Sequence, residues 1–242
     1  MHKSTNSTKK CWAILPAAGV GKRMGANIPK QYLLLAGKTI LEQTLSVFLQ
    51  HPNISGIVLA ITPDDPYWQD IYNDLSVHDI EKIIVAPGGE ERCHSVLNAL
   101  TELQAFAAAD DWVLVHDAAR PCLKASDIGC LIEQLSHTND GGLLGLPMAD
   151  TVKRCDGNNQ VLATVDRSHL WRALTPQMFP LRRLHDALQQ AIDTDALVTD
   201  DASAMELQGY KPKMVEGHPA NIKITHPADL QLAEIFFSQN TE

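Results

Sequence analysis

The chain alternates short apolar runs with amphipathic segments over its first 135 residues. The strand-like runs are 12–17, 56–61, 82–86 and 112–116. The helix-like segments, which carry apolar residues at helical spacing, are 41–49, 67–75, 92–103 and 127–135. Strands that are apolar on both faces are typical of a mostly parallel sheet covered by helices. We therefore predict an α/β, Rossmann-like fold, in which a mostly parallel twisted sheet has helices on both faces.

The pattern changes between residues 139 and 168. An apolar stretch at 143–148 leads to a turn-rich centre at 156–159, and a second stretch follows at 161–166, which predicts a β-hairpin. A two-stranded ribbon is marginally stable alone, so we expect it to pack on a second copy of the chain. The prediction is thus a single domain, 1–242, with 139–168 as a protruding β-hairpin arm that is used in dimerisation.

Two later segments complete the predicted elements. A helix is expected over 181–192, and Thr199 or Asp200 has the residue type of a helix N-cap. The segment 221–225 is expected to be a short strand with Lys223 at its centre. A lysine in such a strand is ordinarily an edge residue that points outward.

The first predicted strand runs directly into a loop, 16–25, that contains three glycines and two alanines. Such residues let the backbone approach an anion closely, and Lys22, Arg23 and Lys30 supply neutralising charge. The loop fits neither the dinucleotide fingerprint, since its third glycine comes one residue late, nor the Walker loop. We interpret it as a phosphate-binding loop of another kind, and a hinge without a ligand is the alternative.

The loops after the third and fourth predicted strands carry further candidates. Gly89 permits close approach of the backbone, and Ser95 could hydrogen-bond a ligand, whereas the glutamates between them could simply favour the helix dipole. Asp117 at a strand's carboxyl end could take a metal or a ribose hydroxyl, and Arg120 could meet a phosphate. A buried Asp–Arg pair is the alternative for these two. His116 is predicted to be a packed strand-end residue rather than a catalytic base.

Composition narrows the class of partner. A formal charge of −9 argues against a surface that coats nucleic acid. The five scattered cysteines, with no C-x-x-C, argue against a disulfide framework or a cysteine-rich zinc site and favour a reducing cytoplasm. The apolar run after the first ten residues is too short for a signal sequence or a membrane span. We therefore expect a cytoplasmic protein with no nucleic-acid or membrane partner.

Nine separated stretches together carry a family resemblance. They are 16–24, 29–32, 88–96, 115–121, 150–153, 165–167, 174–177, 199–203 and 221–223. The runs His116-Asp117-Ala118-Ala119-Arg120-Pro121 and Thr175-Pro176-Gln177 are the most particular. In this order the stretches resemble the 2-C-methyl-D-erythritol 4-phosphate cytidylyltransferases of the non-mevalonate isoprenoid pathway. Lys22 stands where arginine is common in that family, and Asp201 stands where glutamate is usual.

The resemblance implies the nucleotidyltransferase type of fold and a reaction in which CMP passes from CTP to 2-C-methyl-D-erythritol 4-phosphate, with release of pyrophosphate. It implies a homodimer, and Mg²⁺ carried mainly by the CTP phosphates, with Asp117 as a possible contact. The catalytic residues that it implies are Arg23, Lys30, Arg167 (from the partner subunit) and Lys223. The implied CTP-binding residues are Pro16, Ala17, Ala18, Gly19, Gly21, Lys22, Gly89, Glu90, Ser95, Asp117 and Ala118. Those for the acceptor are Asp117, Arg120, Thr151, Arg167, Thr175, Thr199 and Lys223.

Three alternatives remain at the level of the sequence. A relative could transfer CMP to another polyol phosphate, such as ribitol 5-phosphate. An NADP-dependent oxidoreductase is disfavoured by the late third glycine. A protein that binds a nucleotide without catalysis would have no use for so many separated polar motifs.

Overall fold

A seven-stranded sheet forms the centre of the computed structural model, which describes residues 9–19 and 28–238. Its strands, in spatial order, are β11 (Lys213–Glu216), β7 (Gly142–Pro147), β10 (Trp171–Pro180), β6 (Trp112–Val115), β1 (Cys11–Pro16), β4 (Ile54–Ile61) and β5 (Ile83–Pro87). β10 runs antiparallel to both of its neighbours, and the other pairs are parallel. The predicted mostly parallel sheet is confirmed.

Eight helices flank or follow these strands within the described residues. They are α1 (Ile40–Leu49), α2 (Pro66–Asp74), α3 (Val77–Ile80), α4 (Arg92–Leu103), α5 (Ala125–Leu135), α6 (Leu181–Asp193), α7 (Asp201–Leu207) and α8 (Pro227–Ser238). A 3-10 turn, Lys30–Tyr32, precedes a small ribbon of β2 (Leu34–Leu35) and β3 (Lys38–Thr39). The ribbon leads into α1, whose start is fixed by a capping box between Thr39 and Glu42.

The central sheet divides the core into two layers. Alternate side chains of β1 face opposite sides: Ala13 and Leu15 join one cluster, whereas Trp12 and Ile14 join the other. The first cluster includes residues of α1, α2 and α5, and the second includes residues of α4, α6 and α7. Helices therefore cover both faces, as the sequence predicts, and the carboxyl ends of the parallel strands stay open at one edge.

Two strands of the sheet escape prediction from the sequence. β10 contains Pro176 and Pro180, and proline removes a ladder hydrogen bond and indicates a turn rather than a strand. The register of β10 against β7 breaks between Ala173 and Gln177, which accommodates Pro176. β11 is four residues long and lies at the sheet edge, so its pattern is too short to distinguish from a loop.

The arm is shorter than the predicted range 139–168. Residues Gly142–Pro147 form β7 of the central sheet, so the first part of that range does not protrude. The separate hairpin consists of β8 (Val152–Cys155) and β9 (Val161–Val165). The sequence did not distinguish β7 from the hairpin because β7 and the second hairpin strand, β9, are both apolar stretches that border turns.

The predicted strand at 221–225 is wrong. No strand is assigned there; Ile224 donates its N–H to the Ala119 carbonyl (2.8 Å). The Asn221 and Ile224 carbonyls accept hydrogen bonds from the side chains of Arg120 (2.8 Å) and Lys30 (3.0 Å). Because side chains take up these carbonyls, the segment has no need of a neighbouring strand.

Candidate active site

A cleft of about 470 Å³ opens at the carboxyl ends of β1, β5 and β6. In an open α/β sheet this edge is where ligands bind. We call it the nucleotide cleft. Its lining residues are Pro16, Ala17, Ala18, Gly19, Lys30, Gln31, Gly89, Glu90, Glu91, Arg92, Ser95, Asp117, Ala118, Ala119 and Lys223.

The loop between β5 and α4 passes close to the start of the glycine loop. A Cβ on Gly88 would collide with the side chain of Ala18, and one on Gly89 would collide with His94. Ser95 Oγ accepts the N–H of Gly89 (2.9 Å) and donates to the Glu91 carbonyl (3.2 Å). The first function of the Ser95 hydroxyl is therefore to hold this loop, and its side chain is buried at the wall of the cleft.

Lys30 is positioned by the turn in which it lies. Gln31 Nε2 donates to the carbonyl of Ala17 (2.5 Å), which joins this turn to the end of β1. Lys30 Nζ donates to the carbonyl of Ile224 (3.0 Å). The contact of its turn with the end of β1 and its own bond to Ile224 thus fix the direction of Lys30. Its ammonium charge lies at the nucleotide cleft.

Asp117, which lines the nucleotide cleft, forms ion pairs with three cations. Its Oδ1 accepts from Arg92 Nε (3.0 Å), and its Oδ2 accepts from Arg120 Nε (3.1 Å) and pairs with Lys223 Nζ (3.0 Å). Burial by itself would raise the pKa of Asp117, but the charges of Arg92, Lys223 and Arg120 outweigh it and hold the pKa far below its usual range. Asp117 is therefore ionised at neutral pH and orients all three cations.

Arg92 links this group to a second buried carboxylate. Its Nη2 donates to Asp201 Oδ2 (2.9 Å) at the first residue of α7. Asp201 has no exposed surface, and burial raises its pKa against the opposing charge of Arg92. Asp201 Oδ1 has no hydrogen-bond partner among the described residues. Arg92 therefore has two carboxylate partners, Asp117 and Asp201.

A second cleft, of about 250 Å³, adjoins the first. We call it the acceptor cleft, and it is lined by Arg92, Asp117, Arg120, Ala173, Leu174, Thr175, Gln177, Thr199, Asp200 and Lys223. Arg92, Asp117 and Lys223 line both clefts. The geometry therefore suits two ligands that meet over one shared group of charges.

The described residues offer no ready ligand set for a metal ion at this point. Asp117 Oδ2 contacts two cations, Arg120 and Lys223, whereas Oδ1 accepts from Arg92 and keeps a second lone pair. The predicted contact of Asp117 with Mg²⁺ therefore stays a prediction. Within residues 9–19 and 28–238, the side chains of Glu91, Cys93 and His94 lie close enough together to be considered as metal ligands. His94 Nδ1 accepts the N–H of Glu91 (3.2 Å), so the neutral ring carries its proton on Nε2 and has no free nitrogen for a metal.

Comparison with known proteins identifies the family. A family model described as IspD, 2-C-methyl-D-erythritol 4-phosphate cytidylyltransferase, matches residues 11–239. The chain belongs to this family. The cytidylyltransferase of Hahella chejuensis is 55% identical over 227 residues, which cover 94% of this chain and 92% of that protein. The enzyme of Actinobacillus pleuropneumoniae is 50% identical over 235 residues, with 97% and 99% covered.

Solved structures of cytidylyltransferases agree with this assignment. A crystal structure of a 4-diphosphocytidyl-2C-methyl-D-erythritol synthase superposes with a TM-score of 0.82 at 36% identity and covers 96% of this chain and 100% of its own. The Francisella tularensis cytidylyltransferase superposes with a TM-score of 0.78 at 39% identity, with 94% and 99% covered. The fold is therefore the nucleotidyltransferase type that the family resemblance implies.

Most of the residues that were predicted to bind cytidylyltransferase substrates lie at one of the two clefts. Those at the nucleotide cleft are Pro16, Ala17, Ala18, Gly19, Lys30, Gly89, Glu90, Ser95, Asp117, Ala118 and Lys223. Those at the acceptor cleft are Asp117, Arg120, Thr175, Thr199 and Lys223. Gly21, Lys22 and Arg23 lie outside the described residues.

Two of the predicted site residues, Thr151 and Arg167, are not among the described residues that line either cleft. Thr151 is exposed just before β8, and Arg167 is exposed just after β9. Both belong to the hairpin region, which protrudes from the sheet as a separate ribbon. Their role in a cytidylyltransferase site stays a prediction.

Arg92 is a site residue for which the sequence analysis predicts no role. It lies in the matching stretch 88–96, but as the first residue of a helix it resembles an ordinary exposed arginine. Its contact with Asp201 spans 109 positions, so no local signal could reveal it. Gln177 was also missed: its amide bridges the N-cap Asp200 (2.9 Å) and the N–H of Ala202 (2.8 Å), and so positions the start of α7.

Proposed function

We propose that the chain transfers CMP from CTP to 2-C-methyl-D-erythritol 4-phosphate, giving 4-diphosphocytidyl-2-C-methyl-D-erythritol and pyrophosphate in the non-mevalonate isoprenoid pathway. Family membership over residues 11–239 supports the activity. The structural observation that carries it is the pair of clefts sharing Arg92, Asp117 and Lys223. CTP occupies the nucleotide cleft in this proposal, and the acceptor phosphate enters from the acceptor cleft.

The proposed chemistry is a single in-line displacement. An oxygen of the acceptor phosphate forms a bond to the α-phosphorus of CTP, and the bond from that phosphorus to the bridging oxygen of the β-phosphate breaks, so pyrophosphate leaves with the electron pair. Two anions must approach, and charge builds on the α-phosphate and the leaving group. The main task of the protein is then positioning and charge compensation. In this proposal Lys30 faces the nucleotide, and Arg120 and Lys223 face the acceptor. Arg23, which lies outside the described residues, is proposed to act beside Lys30.

The hairpin enters the proposal as the dimer contact. Val161 and Leu162 on β9 are 60% and 64% exposed, which is unfavourable for apolar side chains on a free ribbon. Packing against a second copy would cover them and would bring Arg167 and Thr151 to the partner's acceptor cleft.

A cytoplasmic location is also part of the proposal. All five cysteines are free, as thiols in a reducing compartment are. No helix in the described ranges has the length and apolar character of a bilayer span.

The reaction and its acceptor are tested together by pyrophosphate release. With CTP and Mg²⁺ present, we expect release with 2-C-methyl-D-erythritol 4-phosphate and none above background with ribitol 5-phosphate. Release with ribitol 5-phosphate alone would keep the mechanism and replace the acceptor. Silence with both acceptors, together with CTP binding by calorimetry, would instead indicate a nucleotide-binding protein without catalysis.

Magnesium is expected to arrive mainly on the CTP phosphates, because three cations already surround the Asp117 carboxylate. An excess of EDTA should lower the rate at least about 100-fold, since uncompensated phosphate charge opposes the transfer. Added Mg²⁺ should restore the rate. Without CTP, Mg²⁺ should leave the melting temperature unchanged. A magnesium-dependent rise in melting temperature of the nucleotide-free chain would contradict this assignment.

A further inference from the structure

His116 is a buried polar residue that contacts two residues of the acceptor cleft, Arg120 and Thr175. It follows β6, has no exposed surface, and packs beside the ring of Phe48 with 5.3 Å between centroids. Its two ring nitrogens have different partners. Nε2 lies 3.1 Å from the Arg120 carbonyl, and Nδ1 lies 3.0 Å from the Thr175 hydroxyl.

These partners determine where the proton of the ring lies. A carbonyl oxygen only accepts, so Nε2 carries hydrogen and donates to Arg120. Burial lowers the pKa of His116 to about 4, against the opposing effect of the Arg120 and Thr175 backbone carbonyls, so the ring is neutral at pH 7 and carries one hydrogen. The Arg120 carbonyl is the hydrogen-bond partner of Nε2, so that hydrogen lies on Nε2. A neutral ring with hydrogen on Nε2 has a lone pair on Nδ1. Thr175 must therefore donate its hydroxyl proton to Nδ1.

The hydroxyl of Thr175 uses its one proton in the hydrogen bond to His116 Nδ1. Its oxygen also accepts the N–H of Asp117 (3.2 Å). A hydroxyl has one proton and two lone pairs, so one lone pair remains for a ligand. Thr175 is one of the residues that line the acceptor cleft. Towards a ligand in that cleft, the Thr175 hydroxyl can accept a hydrogen bond but cannot donate one.

We propose that His116 is a positioning residue that makes Thr175 an acceptor-only contact, so that this point of the acceptor cleft selects a substrate hydroxyl and disfavours an unprotonated phosphate oxygen. The inference rests on the proposed function, since it concerns how the polyol acceptor is oriented. It separates the threonine from the cations in the same cleft: Arg120 and Lys223 serve the acceptor's phosphate, and Thr175 serves its polyol chain. His116 exerts this effect through Thr175 and need not touch the substrate.

The tautomer can be observed directly in the resting protein. In the chain labelled with ¹⁵N-histidine at pH 7, we expect His116 to show a protonated Nε2 and an unprotonated Nδ1, and the loss of this signal in His116→Gln assigns it among the ten histidines. A proton on Nδ1, or on both nitrogens, overturns the proposal. The measurement needs no turnover, so its failure is distinguishable from failure of the proposed reaction.

The kinetic consequence is tested with two matched variants. In His116→Gln the amide nitrogen can still donate to the Arg120 carbonyl, but the acceptor for Thr175 is lost. We expect KM for the acceptor to rise roughly tenfold, which is the effect of one misdirected hydrogen bond, with KM for CTP unchanged. In His116→Asn the amide oxygen lies near the Nδ1 position, and KM for the acceptor should stay within roughly threefold of the wild type.

A double-mutant cycle separates positioning from a merely structural role. Thr175→Val removes the hydroxyl that His116 is proposed to direct. Adding His116→Gln to Thr175→Val should then raise KM for the acceptor no further, because the two changes act through one contact. Additive effects, or an equal rise of KM for CTP, would overturn the proposal. Thr175→Ser, which keeps the hydroxyl, should remain closer to the wild type than Thr175→Val.

Discussion

Asp117→Asn is expected to lower both the stability of the fold and the catalytic efficiency. The change leaves the size of the side chain almost unaltered but removes the charge that Arg92, Arg120 and Lys223 share. Removing one partner of a buried ion pair costs roughly 3–5 kcal/mol. Lys223 keeps 37% of its side chain exposed, so we expect a loss of about 3 kcal/mol, the low end of this range, in the free energy of unfolding.

The catalytic loss has a separate cause. Without the carboxylate, Arg120 and Lys223 are no longer held in a common direction towards the acceptor cleft. A misplacement of about 1 Å in a positioning group can cost about 100-fold, and we expect kcat/KM for the acceptor to fall by about that factor. Urea unfolding at one protein concentration measures the stability change, and pyrophosphate release measures the catalytic change.

The control for Asp117→Asn is an exposed aspartate with a cation beside it. Asp110 lies 3.6 Å from Lys9, and its side chain is 69% exposed, so Asp110→Asn should change neither quantity measurably. Equal effects of the two substitutions would show that Asp117 has no special function.

The destabilisation by Asp117→Asn should also depend on pH. Because the folded pKa of Asp117 is lowered, its contribution is full at pH 7 and is lost as the pH falls below about 4, so the difference from the wild type should shrink there.

The parallel half of the fold is predictable because burial on both faces leaves a plain signal. β1, β6 and the part of β4 after its exposed Ser55 are continuous apolar runs, and each is recognisable without its neighbours. β10 lacks that signal. Its first three residues are exposed, its last seven are buried, and it contains two prolines, so only its neighbours β6 and β7 reveal it as a strand.

Site residues that directly follow a strand could be predicted from the sequence. Site residues whose function depends on partners far away in the sequence could not. Asp117 and Arg120 follow β6 directly, and both alternatives for them proved compatible: they form a buried pair and they line a cleft. Lys223 was a strand-edge lysine from its residues alone and a site residue only through the family resemblance. The structure explains the disagreement, since its segment is held by Arg120 and Lys30 side chains rather than by a strand.

Lys30→Met and Arg167→Met are each expected to lower activity, but for reasons that a mixing experiment separates. Lys30 lies at the nucleotide cleft, and removing a well-placed cation should lower kcat by roughly 10²–10³-fold. Arg167 lies on the hairpin, away from both clefts of its own chain, so its loss should mainly impair use of the acceptor. Each variant alone gives the starting value for the mixture, and Arg154→Met, a change of another exposed arginine on the hairpin, is the matched control.

The two impaired variants should restore each other when their subunits are exchanged. In a mixed dimer, the Arg167→Met subunit has an intact Lys30, and its site receives Arg167 from the Lys30→Met subunit. One of the two sites in that dimer is then complete, so at random exchange about half of the dimers carry one active site. If Arg167 instead acts within its own chain, every site lacks one of the two residues and no activity returns. Recovery of about a quarter of wild-type activity, which is half of the dimers with one of two sites active, would therefore establish both the dimer and the shared site. A mixture no more active than its components would remove Arg167 from the proposed mechanism.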